Sequence, residues 1–321
     1  MTPHQSIQHL QDRMNKAIIG QEYVVERLVI GLLANGNLLL EGLPGLAKTR
    51  AVRAMADSID SKFSRIQFTP DLLPSDVTGS ESMYEEGGEY KFRFEEGPIF
   101  GNVILADEIN RAPAKVQSAM LEAMEERQIT VAGKSHKLPK LFIVMATQNP
   151  IEQEGTYPLP EAQKDRFLMH INIGYPDIES ELAIIDLVHS EKSESSDEEI
   201  KISQATIFEA REEIQAISSS DAVKRYIVDL VFATRYPSKY SEELASLIEV
   251  GVSPRASLAL DTCSRVYAWL KGRDTTTIED VRAVVYDVFR HRITPSYTAQ
   301  AKRIDNSEII DKIVRLVAVI A

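Results

Sequence analysis

Residues 37–50 read NLLLEGLPGLAKTR, and this stretch decides the fold. Asn37 to Leu40 has the character of a short buried strand, a Gly/Pro-rich turn follows, and Lys48-Thr49 opens a helical segment through Asp57. Strand, glycine loop and helix in that order are the context of a phosphate-binding loop. Gly42 and Gly45 let the backbone curl so that successive N–H groups point inward, and the helix adds the positive end of its dipole. Lys48 is then placed to reach β- and γ-phosphates, and the Thr49 hydroxyl to hold Mg²⁺. Leu43, Pro44, Leu46 and Arg50 complete the candidate loop. Ala47 breaks the pattern G-x-x-x-x-G-K-[ST], standing where the second glycine is expected. Its methyl is compatible with the loop if the backbone angles there are helix-like. A β-turn followed by a surface lysine would carry the same letters, so the assignment rests on what lies downstream.

At 321 residues the chain is long enough for two domains, each burying its own core. A hydrophobic content of 44% and a charged content of 26% are those of an ordinary globular protein. The net charge of −12 argues against a broad nucleic-acid-binding face, which needs clustered Lys and Arg. No apolar run approaches the length of a membrane span, and residues 1–16 lack the apolar centre of a signal peptide. A single cysteine, Cys263, excludes an intrachain disulfide and suits a reducing cytoplasm. It lies in an apolar helical run and reads as a small core residue. The histidines lack metal-ligand spacing, and His170 in LMHINI reads as a strand residue.

Apolar periodicity places helices over residues 4–17 and 22–34, with Ile18-Ile19-Gly20-Gln21 as the break between them. Further strands are expected at Lys62 to Phe68, Asn102 to Ala106, Leu141 to Thr147 and Leu168 to Ile173, and a helix from Ala114 to Arg127. Near-continuous apolar strands alternating with helices imply an α/β fold with a parallel sheet covered on both faces. Ser82 to Gly97 alternates around Gly87-Gly88 as a hairpin does, and Gln128 to Leu138 is a second hairpin turning near Gly133-Lys134. A helix from Pro176 to His189 leads into SEKSESSDEE, residues 190–199, an acidic run that reads as a linker and domain boundary. Beyond it five helical segments and no strand signals appear, over residues 203–217, 221–235, 257–270, 277–289 and 307–320.

The stretch NVILADE, residues 102–108, is an apolar strand ending in two acids, expected at the ligand-binding edge on a strand next to the P-loop strand. Asp107 would support Mg²⁺ directly or through water, and Glu108 would polarise the attacking water. The fourth strand ends in Thr147-Gln148-Asn149-Pro150, where an amide could reach the γ-phosphate or simply cap the strand.

GLPGLAKT, VILADEINRAP, MATQNP, EAQKDRF and GVSPRAS occur in this order, and the chain resembles the MoxR family of AAA+ ATPases over nearly its whole length. Leu-Ala-Lys-Thr is a P-loop variant of that family. The resemblance implies a P-loop AAA+ three-layer αβα domain (1–190) followed by an all-helical lid (200–321). It implies that Asn149 is the sensor-1 residue, Arg166 an arginine finger reaching a neighbouring subunit's nucleotide, and Arg255 the lid's sensor 2, in cis or in trans. It also implies that Ile19 and Gly20 lie against the adenine, and that the two hairpins are the family's inserts. Arg111 is a further candidate for facing a neighbour. A planar guanidinium suits these roles because it contacts two phosphoryl oxygens at once.

The expected reaction is Mg²⁺-dependent hydrolysis of ATP to ADP and phosphate. It would drive chaperone-like remodelling or cofactor loading of client proteins by a hexameric ring, beside partners carrying von Willebrand A domains. Two other classes are a nucleotide-dependent binding switch with slow turnover and a nucleic-acid motor. The motor would have to use Lys91 and Arg93 in one hairpin and Lys134, His136 and Lys137 in the other.

Overall fold

The structure, a computed structural model, describes residues 1–150, 156–190 and 201–318. Helices α1 (Pro3–Ala17) and α2 (Glu22–Leu33) precede strand β1 (Leu38–Gly42), helix α3 (Lys48–Asp57) and strand β2 (Phe63–Gln67). A short helix α4 (Pro74–Thr78) leads into the hairpin β3 (Gly79–Glu86) and β4 (Glu89–Glu96). Then come β5 (Val103–Asp107), α5 (Ala114–Glu126), the hairpin β6 (Gln128–Val131) and β7 (Lys134–Lys137), β8 (Ile143–Gln148), α6 (Glu161–Lys164), β9 (Met169–Ile173) and α7 (Ile178–Ser190).

Five of these strands form one parallel sheet in the order β2-β5-β8-β1-β9. This corrects one expectation. The strand carrying Asp107 does not neighbour the P-loop strand, because β8 lies between β5 and β1. Periodicity marks a strand but carries no information on its neighbours. The parallel pairing explains why the strands read as continuous apolar runs: both faces are covered. Leu38 and Leu40 of β1 and Val103 and Leu105 of β5 point to one face, against α1, α2 and α3. Leu39, Ile104 and Ala106 point to the other, against α5 and the hairpin bases at Ile129 and Leu138.

Both hairpins close with two residues at positive φ, as tight turns between right-twisted strands require. In the first these are Gly87 (+66°) and Gly88 (+83°); in the second they are Ala132 (+48°) and Gly133 (+78°), one residue earlier than expected.

The acidic run at residues 190–199 falls, past Ser190, outside the described residues, and so does the boundary it was expected to mark. The C-terminal part contains α8 (Gln204–Ala216), α9 (Asp221–Arg235), α10 (Glu242–Ala245), α11 (Pro254–Leu270), α12 (Ile278–Phe289), α13 (Tyr297–Ala301) and α14 (Asn306–Leu316). It is not wholly helical: β10 (Ile248–Val250) pairs antiparallel with β11 (Thr294–Pro295), two segments too short to show periodicity. Its buried side chains continue without a break into those between the sheet and α1 to α3, as one cluster. Cys263 is fully buried in that cluster, and burial pushes its thiol up to about 12.

Candidate active site

The C-terminal edge of the sheet gathers most of the expected nucleotide residues. β1 ends at Gly42, Leu43 to Ala47 form the loop, and α3 starts at Lys48. Gly45 has φ +85° with open space on its Cβ side, so the loop leaves that flank clear for a ligand. Ala47 has φ +55° and ψ 18°, left-handed rather than helical, which corrects the expectation for this residue. The backbone takes the conformation a glycine would take, and the methyl is accommodated under strain. Lys48 Nζ donates to the carbonyl of Gly42 at 2.5 Å and to that of Gln148 at 3.2 Å, so its ammonium lies across the loop mouth. Arg50 Nε donates to the carbonyl of Ala17 at 2.8 Å, tying the P-loop helix to the residues before Ile18. Gly20 packs so closely on α7 that a Cβ there would lie 2.5 Å from that of Ser180, and Gln21 Nε2 donates to the Gly174 carbonyl at 3.0 Å. Ile19 and Gly20 are thereby brought to the P-loop edge.

The two acids sit on the same edge, two strands away. Asp107 is buried; its Oδ1 accepts from Thr147 Oγ at 2.7 Å and its Oδ2 from Arg65 Nη2 at 2.6 Å. Thr147 Oγ also accepts from the backbone N–H of Glu108 at 2.9 Å. Glu108 has φ +58°, which turns its carboxylate out of the strand line. Its Oε2 accepts from Gln67 Nε2 at 3.1 Å and from Arg111 Nη1 at 3.0 Å. Asn149 follows β8 and is buried. The end of β8 therefore joins the two halves of the site: Gln148 holds Lys48 through its carbonyl, and Thr147 holds both acids.

Arg166 and Arg255 are elsewhere. Arg166 lies three residues before Met169, which pairs with Leu38 at the start of β1, so it occupies the N-terminal edge. A five-residue strand spans about 16 Å, which separates Arg166 from its own P-loop. Arg166 Nη2 lies 3.1 Å from Glu125 Oε2, and Arg255 Nη2 pairs with Oε1 of the same carboxylate. These groups line a cavity of about 340 Å³ with Arg127, Asp165 and Arg292.

Asp165, beside the candidate finger, is gripped from the C-terminal part. Ser253 Oγ donates to its Oδ2 and Arg292 Nε to its Oδ1, each at 2.8 Å. Arg292 also donates to the carbonyls of Phe167 at 2.6 Å and Leu168 at 3.1 Å. Next to it, His291 Nε2 meets the Phe167 carbonyl at 3.0 Å, and burial holds the imidazole well below its usual pKa. Near β1, His170 Nε2 lies 2.8 Å from Glu41 Oε2 and holds that carboxyl below its ordinary range.

Residues 37–169 match the family model for the ATPase family associated with various cellular activities (AAA), and residues 242–313 match an AAA lid domain. Chaperone MoxR1 of Mycobacterium tuberculosis is 44% identical over 95% of this chain and 80% of its own length. Protein MoxR of Methylorubrum extorquens is 31% identical over 94% of this chain and 90% of its own. The chain belongs to the MoxR family of AAA+ ATPases. A crystal structure from Cytophaga hutchinsonii, provisionally assigned as an ATPase, superposes with a TM-score of 0.90 at 43% identity, covering 99% of this chain and 96% of that one.

For a MoxR-family chain the motifs had marked the loop and both acids, but not what holds them. Thr147, Gln67 and Arg65 come from other strands, and only the sheet order brings them to Asp107 and Glu108. Glu125 was an undistinguished acid on an amphipathic helix; no local signal marked it.

Proposed function

We propose that this MoxR-family protein binds ATP with Mg²⁺ at the C-terminal sheet edge and hydrolyses it to ADP and phosphate. The observation that supports this most is the end of β8, which holds Lys48 through the Gln148 carbonyl and, through Thr147, both the Asp107 carboxylate and the backbone N–H of Glu108. In this reading Gly42 to Ala47 wrap the phosphates with backbone N–H groups, Lys48 supplies the cation, and Ile19 and Gly20 lie against the base. The residues fit Mg²⁺, which takes few protein oxygens and completes its shell with phosphates and water. Thr49 would bind it directly, whereas Asp107, with both oxygens already accepting hydrogen bonds, would bind through a metal-held water. Bound there, Mg²⁺ neutralises phosphate charge. Glu108, held by Gln67 and Arg111, orients and polarises the attacking water, and Asn149, which follows β8 at the same sheet edge, would act as the sensor of the γ-phosphate.

Arg166 would complete the site of a second copy, since its own P-loop is at the opposite edge. This supports a homo-oligomer, with a hexameric ring as its form. Arg255 shares Glu125 with Arg166, which favours action in trans for both. Chaperone-like remodelling or cofactor loading of a client, with a von Willebrand A protein as a further partner, is the activity proposed for the assembly. A binding switch reset by slow turnover remains the second reading, and client-stimulated turnover would favour the remodeller. A nucleic-acid motor is disfavoured: Lys91 pairs with Glu86 at 2.8 Å, Lys134 with Glu81 at 3.6 Å, and His136 stacks on Phe94.

Lys48→Ala should abolish ATP binding in a folded protein, while Glu108→Gln should bind normally and turn over at least about a hundredfold more slowly. Near-normal affinity in Lys48→Ala would overturn the P-loop assignment. Unchanged turnover per bound ATP in Glu108→Gln would overturn the role of Glu108.

A further inference from the structure

We propose that Glu125 is the positioning residue that joins Arg166 and Arg255 into one two-cation clamp for a phosphoryl group bound by a second copy of the chain. The inference rests on the reading of Arg166 given above and assigns Glu125 a role that no motif marks.

The geometry is specific. Glu125 lies in the last turn of α5 and offers one carboxylate oxygen to each arginine: Oε2 to Arg166 from the loop before β9, and Oε1 to Arg255 from the first turn of α11. Each arginine meets Glu125 through Nη2, and a guanidinium carries five N–H donors in a planar fork, so each has further donors to offer phosphoryl oxygens. Two guanidinium groups this close would repel each other without the carboxylate between them. Their backbones are also locked together. Ser253 Oγ accepts from the N–H of Arg255 at 3.1 Å and donates to Asp165, the residue before Arg166, at 2.8 Å. Arg292 grips the other oxygen of Asp165.

The charge balance favours an anion. Arg127, Arg166, Arg255 and Arg292 line the cavity against two acids, Glu125 and Asp165. Arg292 is spent on Asp165, and Arg127 on the carbonyls of Phe142 and Asn35. The excess positive charge therefore lies on the two arginines that share Glu125. Both side chains are partly exposed, at 32% for Arg166 and 45% for Arg255, as groups that receive a ligand from outside the subunit must be.

The test uses the full chain carrying Glu125→Gln, which keeps the side chain's shape and removes the charge that binds both arginines. ATP affinity should stay within about twofold, because the P-loop is a strand length away, as expected of independent sites. The kcat should fall about a hundredfold, the scale of a misplaced catalytic group. In an Arg166→Ala background the same substitution should cost no more than about twofold further, since most of what it positions is gone. Glu125→Asp, which retains the charge, should recover part of the rate and serves as the reading if Glu125→Gln does not fold. Mixing Glu125→Gln with Glu108→Gln should restore turnover at interfaces that pair an intact site with an intact clamp. Unchanged kcat, a loss that multiplies with that of Arg166→Ala, or a fall in ATP affinity would overturn the role of Glu125. If the Arg166→Ala and Glu108→Gln mixture revives while the Glu125→Gln mixture stays silent, the Glu125 assignment alone fails. If the Arg166→Ala mixture is itself silent, the reading beneath it fails.

Discussion

Ala47 and Glu108 are non-glycine residues with left-handed backbone, at φ +55° and +58°, and they lie on either side of the candidate site. For Ala47 the conformation only bends the chain into α3, so glycine should do it with less strain. Ala47→Gly is expected to stabilise the protein by about 1 kcal/mol, read from urea unfolding, with ATP affinity preserved. Destabilisation would mean that the loop takes another conformation. Thr147→Val keeps the buried shape but removes the hydroxyl that serves Asp107 and Glu108. Leaving those groups unpaired should cost about 1–3 kcal/mol and slow turnover while ATP still binds. Unchanged stability and turnover would show that the β8 end does not organise the acids. Lys48, Asp107 and Glu108 were legible in the sequence because each is fixed by its neighbours in the chain. Thr147 and Glu125 were not, because their partners come from distant segments that only the tertiary fold brings near.

At the scale of elements, the strands and long helices were read to within a few residues, since buried parallel strands and amphipathic helices carry strong periods. Strand order, the β10–β11 pair and the contact between the C-terminal helices and β9 were not, being products of packing. That contact runs through Arg290, His291 and Arg292, which donate to or meet the carbonyls of His170, Phe167 and Leu168. Arg292 is buried and bridges Asp165 as well. Arg292→Met should therefore destabilise the protein by about 3–5 kcal/mol in urea unfolding, because it removes the cation paired with the Asp165 carboxylate, leaving it Ser253 alone, and takes a donor from the Phe167 and Leu168 carbonyls. A loss below about 1 kcal/mol would reduce the latch to the strength of a surface pair.

Over the whole molecule, His291 makes stability depend on pH. Burial depresses its pKa far below 6.5, so the folded chain keeps it neutral while the unfolded chain takes up a proton below that pH. Its neutral, folded form is favoured above pH 6.5, and the advantage is lost as pH falls, by up to about 1.4 kcal/mol per unit. His291→Gln should flatten that part of the unfolding profile; an unchanged slope would assign the dependence to other groups.

In the function proposed here, one chain holds two incomplete halves: the Lys48 loop and the acids at one sheet edge, Arg166 and Arg255 at the other. The direct test mixes Glu108→Gln, with a disabled site and an intact Arg166, with Arg166→Ala, which has the converse defect. Each alone should be nearly inactive, Arg166→Ala by about a thousandfold or more with ATP binding retained. Mixed assemblies, verified by native mass spectrometry to contain both variants, should recover ATPase activity above either parent. Mixed assemblies that remain inactive would contradict a site shared between subunits and return Arg166 to its own chain.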